Sequence, residues 1–330
     1  MYQKKKFVLK CRGWACPCPT TSNNNKQFST CCLRIIAYAF GQGQAQPLQN
    51  TSYIILIIFF FLHICAPIYA QTPALQDTSK ELIFIKKIRI KEPVQVSADR
   101  YGNIFIADKN GAITKYKNNG DSITAYSPAI RANITLLEAW AMLETAVFYQ
   151  ENQELVIFDR FLTLKQSIKI DDTMAGFARL ATLAADGNIW IFDEVDFSLK
   201  KYNTRTKTII LHTPCDLLFQ KKEYNLLFIK ELNNLVYLVD KNNGVFLFDN
   251  FGNYKKSIYI ADANAVFIAN DYIYALQKDN KISVNYVYNN INNIITQYNT
   301  PIAQNYELVA VSDNNLLLFT KNEMYIFKMK

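Results

Sequence analysis

The feature that most constrains this chain is a phrase that returns about every forty-three residues from Glu81 onward. It is clearest at Ala185-Asp186-Gly187-Asn188-Ile189-Trp190-Ile191-Phe192-Asp193. The Asp-Gly pair supplies the backbone freedom of a tight turn. Ile189 and Ile191 then alternate with Trp190 and Phe192, as a strand with two packed faces requires. The end of the corresponding strand falls at Asp108, Gln150, Asp193, Asp240, Gln277 and Lys321, six units in all. A period of this length, with several strands per unit and no helical pattern, specifies propeller blades rather than the coils of a solenoid.

Each unit reads as four strands. In the third they are predicted at Phe177–Ala184, Asn188–Asp193, Phe197–Asn203 and Thr206–His212. In the fourth they fall at Tyr224–Lys230, Leu235–Asp240, Gly244–Asp249 and Tyr254–Ile260, separated by turns rich in Asn and Gly. The sixth unit has three strands, the last at Glu323–Met329, whereas Glu81–Ile90 is a lone strand ahead of the first unit. If that strand pairs outside Met324–Lys328, it completes the sixth blade and removes an open edge. The expected fold is therefore all-β: a six-bladed β-propeller of four-stranded antiparallel blades over residues 81–330, with the N-terminal strand closing the last blade.

Pro93–Ser122, PVQVSADRYGNIFIADKNGAITKYKNNGDS, resembles the repeat of the NHL-type six-bladed propellers through Pro93, Asp99, Gly102, Asn103, Ala107, Asp108, Tyr116 and Gly120. It departs from that repeat where the Asn-His-Leu core would stand, since the connection Lys109-Asn110-Gly111 is short and has no His. The later units keep the pattern more loosely, through Trp190, Asp193 and Tyr202 in one and Tyr237, Asp240 and Phe248 in another. The resemblance implies the fold and a platform for ligands or scaffolding; propellers of this type are less often enzymes.

The first eighty residues follow another logic. Tyr53–Tyr69, YIILIIFFFLHICAPIY, reads as a signal-peptide apolar region, with Pro67 and Ala70 suiting a cleavage region at residues 53–70. Its apolar core, Ile54–Leu62, is short for a membrane span. Residues 71–80 are a polar linker. Residues 1–52 form a basic, Cys- and Asn-rich extension, which a long n-region or a true start further downstream would explain. The reading is export to a periplasmic or extracellular location, with no membrane span in the mature form. The alternative is a chain anchored by an uncleaved N-terminal segment. A lipoprotein at Cys65 is disfavoured, because Ile64 stands where such signals have a small residue.

Charge and cysteine are partitioned in the same way. The net charge of +8 arises mostly from the first 70 residues, and residues 71–330 hold 29 Lys and Arg against 28 Asp and Glu. No clustered positive stripe is available beyond the extension to displace counterions, so nucleic acid is set aside as a partner. Of seven cysteines only Cys215 lies beyond residue 70, which excludes a disulfide within the mature domain.

Candidate chemistry is sparse. His212 is the only histidine after residue 70, and no GxSxG elbow, P-loop or EF-hand pattern is present. A Cys-His dyad with Cys215 is weighed against a solvated strand-end histidine, and the latter is favoured. Asp108, Asp193, Asp240 and Asp249 end strands, where a carboxylate accepts bonds from the amides of the next turn. Arg131, Asp171, Asp172, Glu194, Asp196 and Lys241 sit in connections expected on one face of the disc and are the binding-face candidates. Gln95, Glu138, Arg179 and Lys230 lie within apolar innermost strands and are the channel-lining candidates, with Glu138 and Arg179 placed to pair across adjacent units. Trp140, Phe148, Phe158, Trp190, Phe192, Tyr237, Phe246 and Phe248 are expected in the core between blades. No catalytic residue, metal ligand or cofactor is assigned. The expected function is an exported, non-enzymatic binding platform for a protein or an extracellular ligand. The alternative is a metal-dependent propeller hydrolase or lactonase holding calcium or another divalent metal with acidic ligands at the channel mouth.

Overall fold

Strands whose two faces are both covered read as continuous apolar runs, whereas strands at the rim keep polar residues, and this contrast sorts the elements of the chain. The computed structural model describes residues 79–139, 143–219, 223–260, 263–289 and 294–330. The apolar run at residues 53–69, the linker up to residue 78 and Trp140 lie outside the described residues. Every described element is a strand. Strand β1 is Ser79–Arg89. A first sheet follows with β2 Pro93–Ala98, β3 Ile104–Asp108, β4 Ile113–Tyr116 and β5 Ser122–Tyr126. The second holds β6 Leu136–Glu138, β7 Thr145–Tyr149, β8 Glu154–Phe158 and β9 Leu164–Lys169. The third holds β10 Ala178–Leu183, β11 Ile189–Asp193, β12 Ser198–Asn203 and β13 Thr208–Pro214. The fourth holds β14 Leu226–Leu232, β15 Leu235–Asp240, β16 Gly244–Asp249 and β17 Tyr254–Ile258. The remainder are β18 Ala263–Ala269, β19 Tyr272–Gln277, β20 Lys281–Tyr286, β21 Ile294–Asn299, β22 Leu308–Ser312, β23 Asn315–Phe319 and β24 Glu323–Met329.

The first four sheets are four-stranded antiparallel meanders, each strand bonded to the next in sequence. The fifth has eight strands in the order β18-β19-β20-β21-β1-β24-β23-β22. Its one parallel seam joins β1 to β21 through Ser79, Lys80 and Glu81 only, while β1 pairs antiparallel with β24 from Leu82–Met329 to Arg89–Glu323. The eight-stranded sheet is thus two arrays meeting at a short seam, which is compatible with six blades. First strands stand side by side around an axis: β6 lies beside β2 and β10, β14 beside β10, and β22 beside both β18 and β2.

Two irregularities recur. The first strand bulges at its start in β2, β10, β14 and β18, where Val94, Arg179, Leu227 and Asn264 are the extra residues. The outermost strand bulges as well, at Ile123, Lys165, Ile210, Lys255 and Ile295, and β1 has the same bulge against β24 at Ile85. A bulge increases local twist, which turns each sheet from the axis out to the rim. Second strands such as β7, β11 and β15 are almost wholly buried, and the rim strand β9 is almost wholly exposed.

The core lies between sheets. Phe148, Phe158, Trp190, Phe192, Tyr237, Phe246 and Phe248 are all buried, as the sequence leads one to expect of broad rings filling wedges. Each such ring removes 150 to 250 Å² from water, on the order of 4 to 6 kcal/mol of gross stabilisation before the ordering cost. Among the described residues no helix is long and apolar enough to cross a membrane.

Candidate functional site

The turns come first, because they set where the loops stand. Asp99, Asp108, Asp159 and Asp249 make one recurrent device: a single Oδ1 accepts from the amides two and four residues on, at 2.8 to 3.0 Å. The residue three on must take a left-handed φ, and it is Gly102, Gly111 or Gly252 in three cases but Leu162 in the fourth. Asp240 binds the amides of Asn242 and Asn243, and Asp193 binds those of Gly176, Phe177 and Val195. The strand-ending aspartates are therefore spent on backbone. Burial raises the Asp193 carboxyl, but the Lys200 ammonium at 2.7 Å and these amides outweigh it and hold its pKa below the usual carboxylate range.

Around the axis lies a cavity of about 170 Å³ lined by first strands, with Gln95, Glu138 and Lys230 among its walls. Gln95 donates through Nε2 to the Thr135 carbonyl at 2.9 Å. Glu138 and Lys230 are 7% and 4% exposed, and they form an ion pair at 3.4 Å from β6 to β14, two sheets apart. The expected Glu138–Arg179 pair does not form. Arg179 is the bulged residue at the start of β10, Glu138 is the last residue of β6, and Arg179 Nη1 donates instead to Gln150 Oε1 at 3.4 Å. Arg179 is not among the residues lining this cavity. The buried Thr182 and Tyr237 hydroxyls have no hydrogen-bond partner among the described residues.

The connections between sheets and the turns between second and third strands gather at one end of the strands. Arg131, Asp171 and Asp172 are exposed there, and Lys241 is half-buried. Asp171 folds back on its own turn, accepting from the Thr173 hydroxyl at 2.5 Å and the Thr173 amide at 3.0 Å, which lowers its pKa. Glu194 accepts from the Tyr224 hydroxyl; that bond, with burial added, pushes the tyrosine up to about 12. Asp196 is occupied by Lys200 at 2.6 Å, Ser198 at 2.5 Å and His212 at 3.2 Å. The structure thus ties Glu194 to Tyr224 and Asp196 to Lys200, and it does not bring the six binding-face candidates to one point. Among the described residues no three His, Cys, Asp or Glu groups stand together as a metal cage. Cys215 is buried, its thiol is pushed up to about 12 mainly by that burial, and its Sγ faces the Thr213 carbonyl at 3.4 Å. His212 bonds to Asp196 rather than to Cys215, so no dyad forms.

What the same end does present is apolar. Leu217 is 93% exposed, and Val195 and Phe177 are exposed on adjoining connections, with Val195 against Gly176. Beneath them Phe197, Phe219 and Tyr224 contact one another edge to face at centroid separations of 5.0 to 6.2 Å, and Phe219 lies 4.5 Å from Phe246 of the next sheet.

Sequence reasoning missed a class of buried lysine at the opposite end. Lys115 reaches Asp99 at 3.5 Å, the Arg160 carbonyl of the next sheet at 3.4 Å, and the face of Phe105. Lys201 does the same with Asp186 at 2.8 Å, the Asn250 carbonyl at 3.5 Å and Trp190. Both stand directly across from the aromatic residue of the neighbouring strand, Phe105 and Trp190 respectively. That cross-strand pairing of Lys with a large ring was the available signal. Trp190 also donates to Glu231 of the next sheet at 2.6 Å.

No protein-family model matches the chain, and no curated protein matches it in sequence. Among solved structures, the Cps50 (Swd1) beta-propeller domain of Myceliophteria thermophila is similar with a TM-score of 0.55 and 9% identity, covering 76% of this chain and 100% of that one. The Pan2 WD40 domain of Neurospora crassa is similar with a TM-score of 0.50 and 11% identity, covering 72% of this chain and 89% of that one. BamB from Moraxella catarrhalis covers 76% of this chain and 98% of its own at 11% identity and a TM-score of 0.45. With four antiparallel four-stranded sheets and a fifth of eight strands set about one axis, the chain is a β-propeller.

Proposed function

We propose that this chain is an exported, non-enzymatic six-bladed propeller of the NHL-like kind that holds a protein or another extracellular ligand on its loop-bearing end. The bulge shared by β1 and the five other outermost strands supports counting β1 as the rim strand of a sixth blade. One observation carries the binding role: Leu217, Val195 and Phe177 project into solvent from connections that rest on the Phe197–Phe219–Tyr224 base. Apolar tips on a fixed base bind by presentation, since little ordering is needed when a partner arrives.

The test places a photoreactive amino acid at Leu217, at Val195 and, as a control on the opposite end, at Tyr101, in the cells that make the protein. A discrete adduct from positions 217 and 195 and not from 101 is the expected result. Equal background from all three would reject the binding end. Fractionation at high salt with N-terminal sequencing of the same material checks export: the mature chain is expected to begin near Gln71 and to be recovered without the apolar run of residues 53–69.

A further inference from the structure

The outermost strand β1 carries a surface that the binding end does not use. Its bulge at Ile85 breaks the alternation of faces, so that Ile83, Phe84 and Ile85 are exposed in succession, at 44%, 42% and 48%. Among the described residues no other outermost strand exposes three apolar side chains in a row. The bulge fixes this surface, with Phe84 seated 5.8 Å from the Phe327 ring and 6.5 Å from Tyr325.

Charge surrounds it. Residues 79–92, SKELIFIKKIRIKE, hold five Lys or Arg and two Glu, in a domain that is otherwise close to neutral. Lys80, Arg89 and Lys91 are exposed, Lys86 is half-buried, and Lys328 stands across from Ile83 on β24. Lys87 is paired with Glu323 at 2.8 Å, while the strand's two acids face lysines elsewhere, Glu92 pairing with Lys109 and Glu81 with Lys330 at 3.9 Å, so the excess rests on Lys80, Lys86, Arg89 and Lys91. A second copy of this chain fits poorly on such an edge. The bulge interrupts the ladder that strand addition needs, and two copies would set lysine against lysine. Bulky apolar side chains ringed by cations match a different surface, one with anionic headgroups above a hydrocarbon layer. In sequence, β1 begins nine residues after Ala70 and the apolar run that precedes it.

We infer that β1 is a peripheral membrane-docking strand, with Ile83, Phe84 and Ile85 entering the headgroup boundary and Lys80, Lys86 and Arg89 meeting anionic phospholipid. This goes beyond the binding end and does not depend on it.

The experiment uses the full chain with vesicles of phosphatidylcholine, with and without phosphatidylglycerol, that contain a trace of a phospholipid with a photoreactive headgroup. Adducts mapped to residues 83–87 in the anionic vesicles and lost at high salt are expected. Replacing Lys80, Lys86 and Arg89 together by Ser lowers those adducts about a hundredfold and Ile85→Ser alone about fivefold, because each basic residue near such a surface contributes about a fivefold factor and the inserted isoleucine a comparable one. Phe251→Ser, on an exposed turn, leaves them unchanged. Melting temperatures equal to that of the parent chain show that the variants are folded. Adducts confined to residues 53–69, equal labelling in neutral vesicles, or a dimer in sedimentation velocity that shields β1 from label would each overturn the inference. The photoreactive residues at 217 and 195 report on the other end, so the two readings fail separately.

Discussion

Lys115 and Lys201 occupy equivalent places, yet removing them should cost different amounts. Asp99 is buried beside Lys115, whereas Asp186 beside Lys201 is half in water. Lys115→Met leaves the buried Asp99 carboxylate its Tyr101 and Asn103 donors but no counter-charge, and is expected to lower stability by about 3 kcal/mol. Lys201→Met loses a cation over an indole and an ion pair that water already weakens, about 1 kcal/mol. Urea unfolding of the two variants distinguishes them, and equal costs would refute the burial argument. Asp193 gives the pH dependence. Its folded pKa is depressed, so its contribution is complete above the unfolded value near 4 and is lost as pH falls through the folded one. The urea midpoint should therefore drop below about pH 4, and Asp193→Asn should flatten that limb while costing about 3 kcal/mol at neutral pH. At this scale sequence is least informative. Asp108, Asp193, Asp240 and Asp249 were legible, because a carboxylate that ends a strand stands where it can accept from the amides of the next turn. The Glu138–Lys230 pair was not, because it joins strands two sheets apart, and a one-residue bulge at Arg179 moved the expected partner out of reach.

Among elements, the turns show how one φ requirement can carry two prices. Gly111 and Gly187 have nearly the same backbone, with φ of +85° and +80°. A methyl group on Gly111 would stand 2.5 Å from the Ala132 carbonyl oxygen, while one on Gly187 would meet nothing within 4 Å. Gly187→Ala should cost only the left-handed strain, about 1 kcal/mol. Gly111→Ala adds a clash with backbone and should cost at least about 2 kcal/mol, read from the same unfolding curves. Strand positions were largely legible. β15, β16 and β24 occupy the predicted residues, and β10 and β13 differ by two residues or fewer at each end, because alternating side chains and Asn or Gly turns are local signals. The recurrent bulges were not legible, since they belong to the pairing of two strands rather than to either sequence.

For the molecule as a whole, β1 is what β24 would otherwise lack. It covers that edge and buries Leu82 and, just past its end, Ile90. A chain starting at Lys91 is expected to melt at least about 10 °C lower and to aggregate on heating, from the apolar surface and open edge it uncovers. An unchanged, reversible melt would show that the seam is dispensable. The pairing of Leu82 with Met329 also has a temporal meaning. The first described strand has its long antiparallel partner in the last described one, so the ring stays open until β24 has been made, and that closing contact spans nearly the whole propeller. A propeller interrupted before β24 would leave β1 unmoored as well.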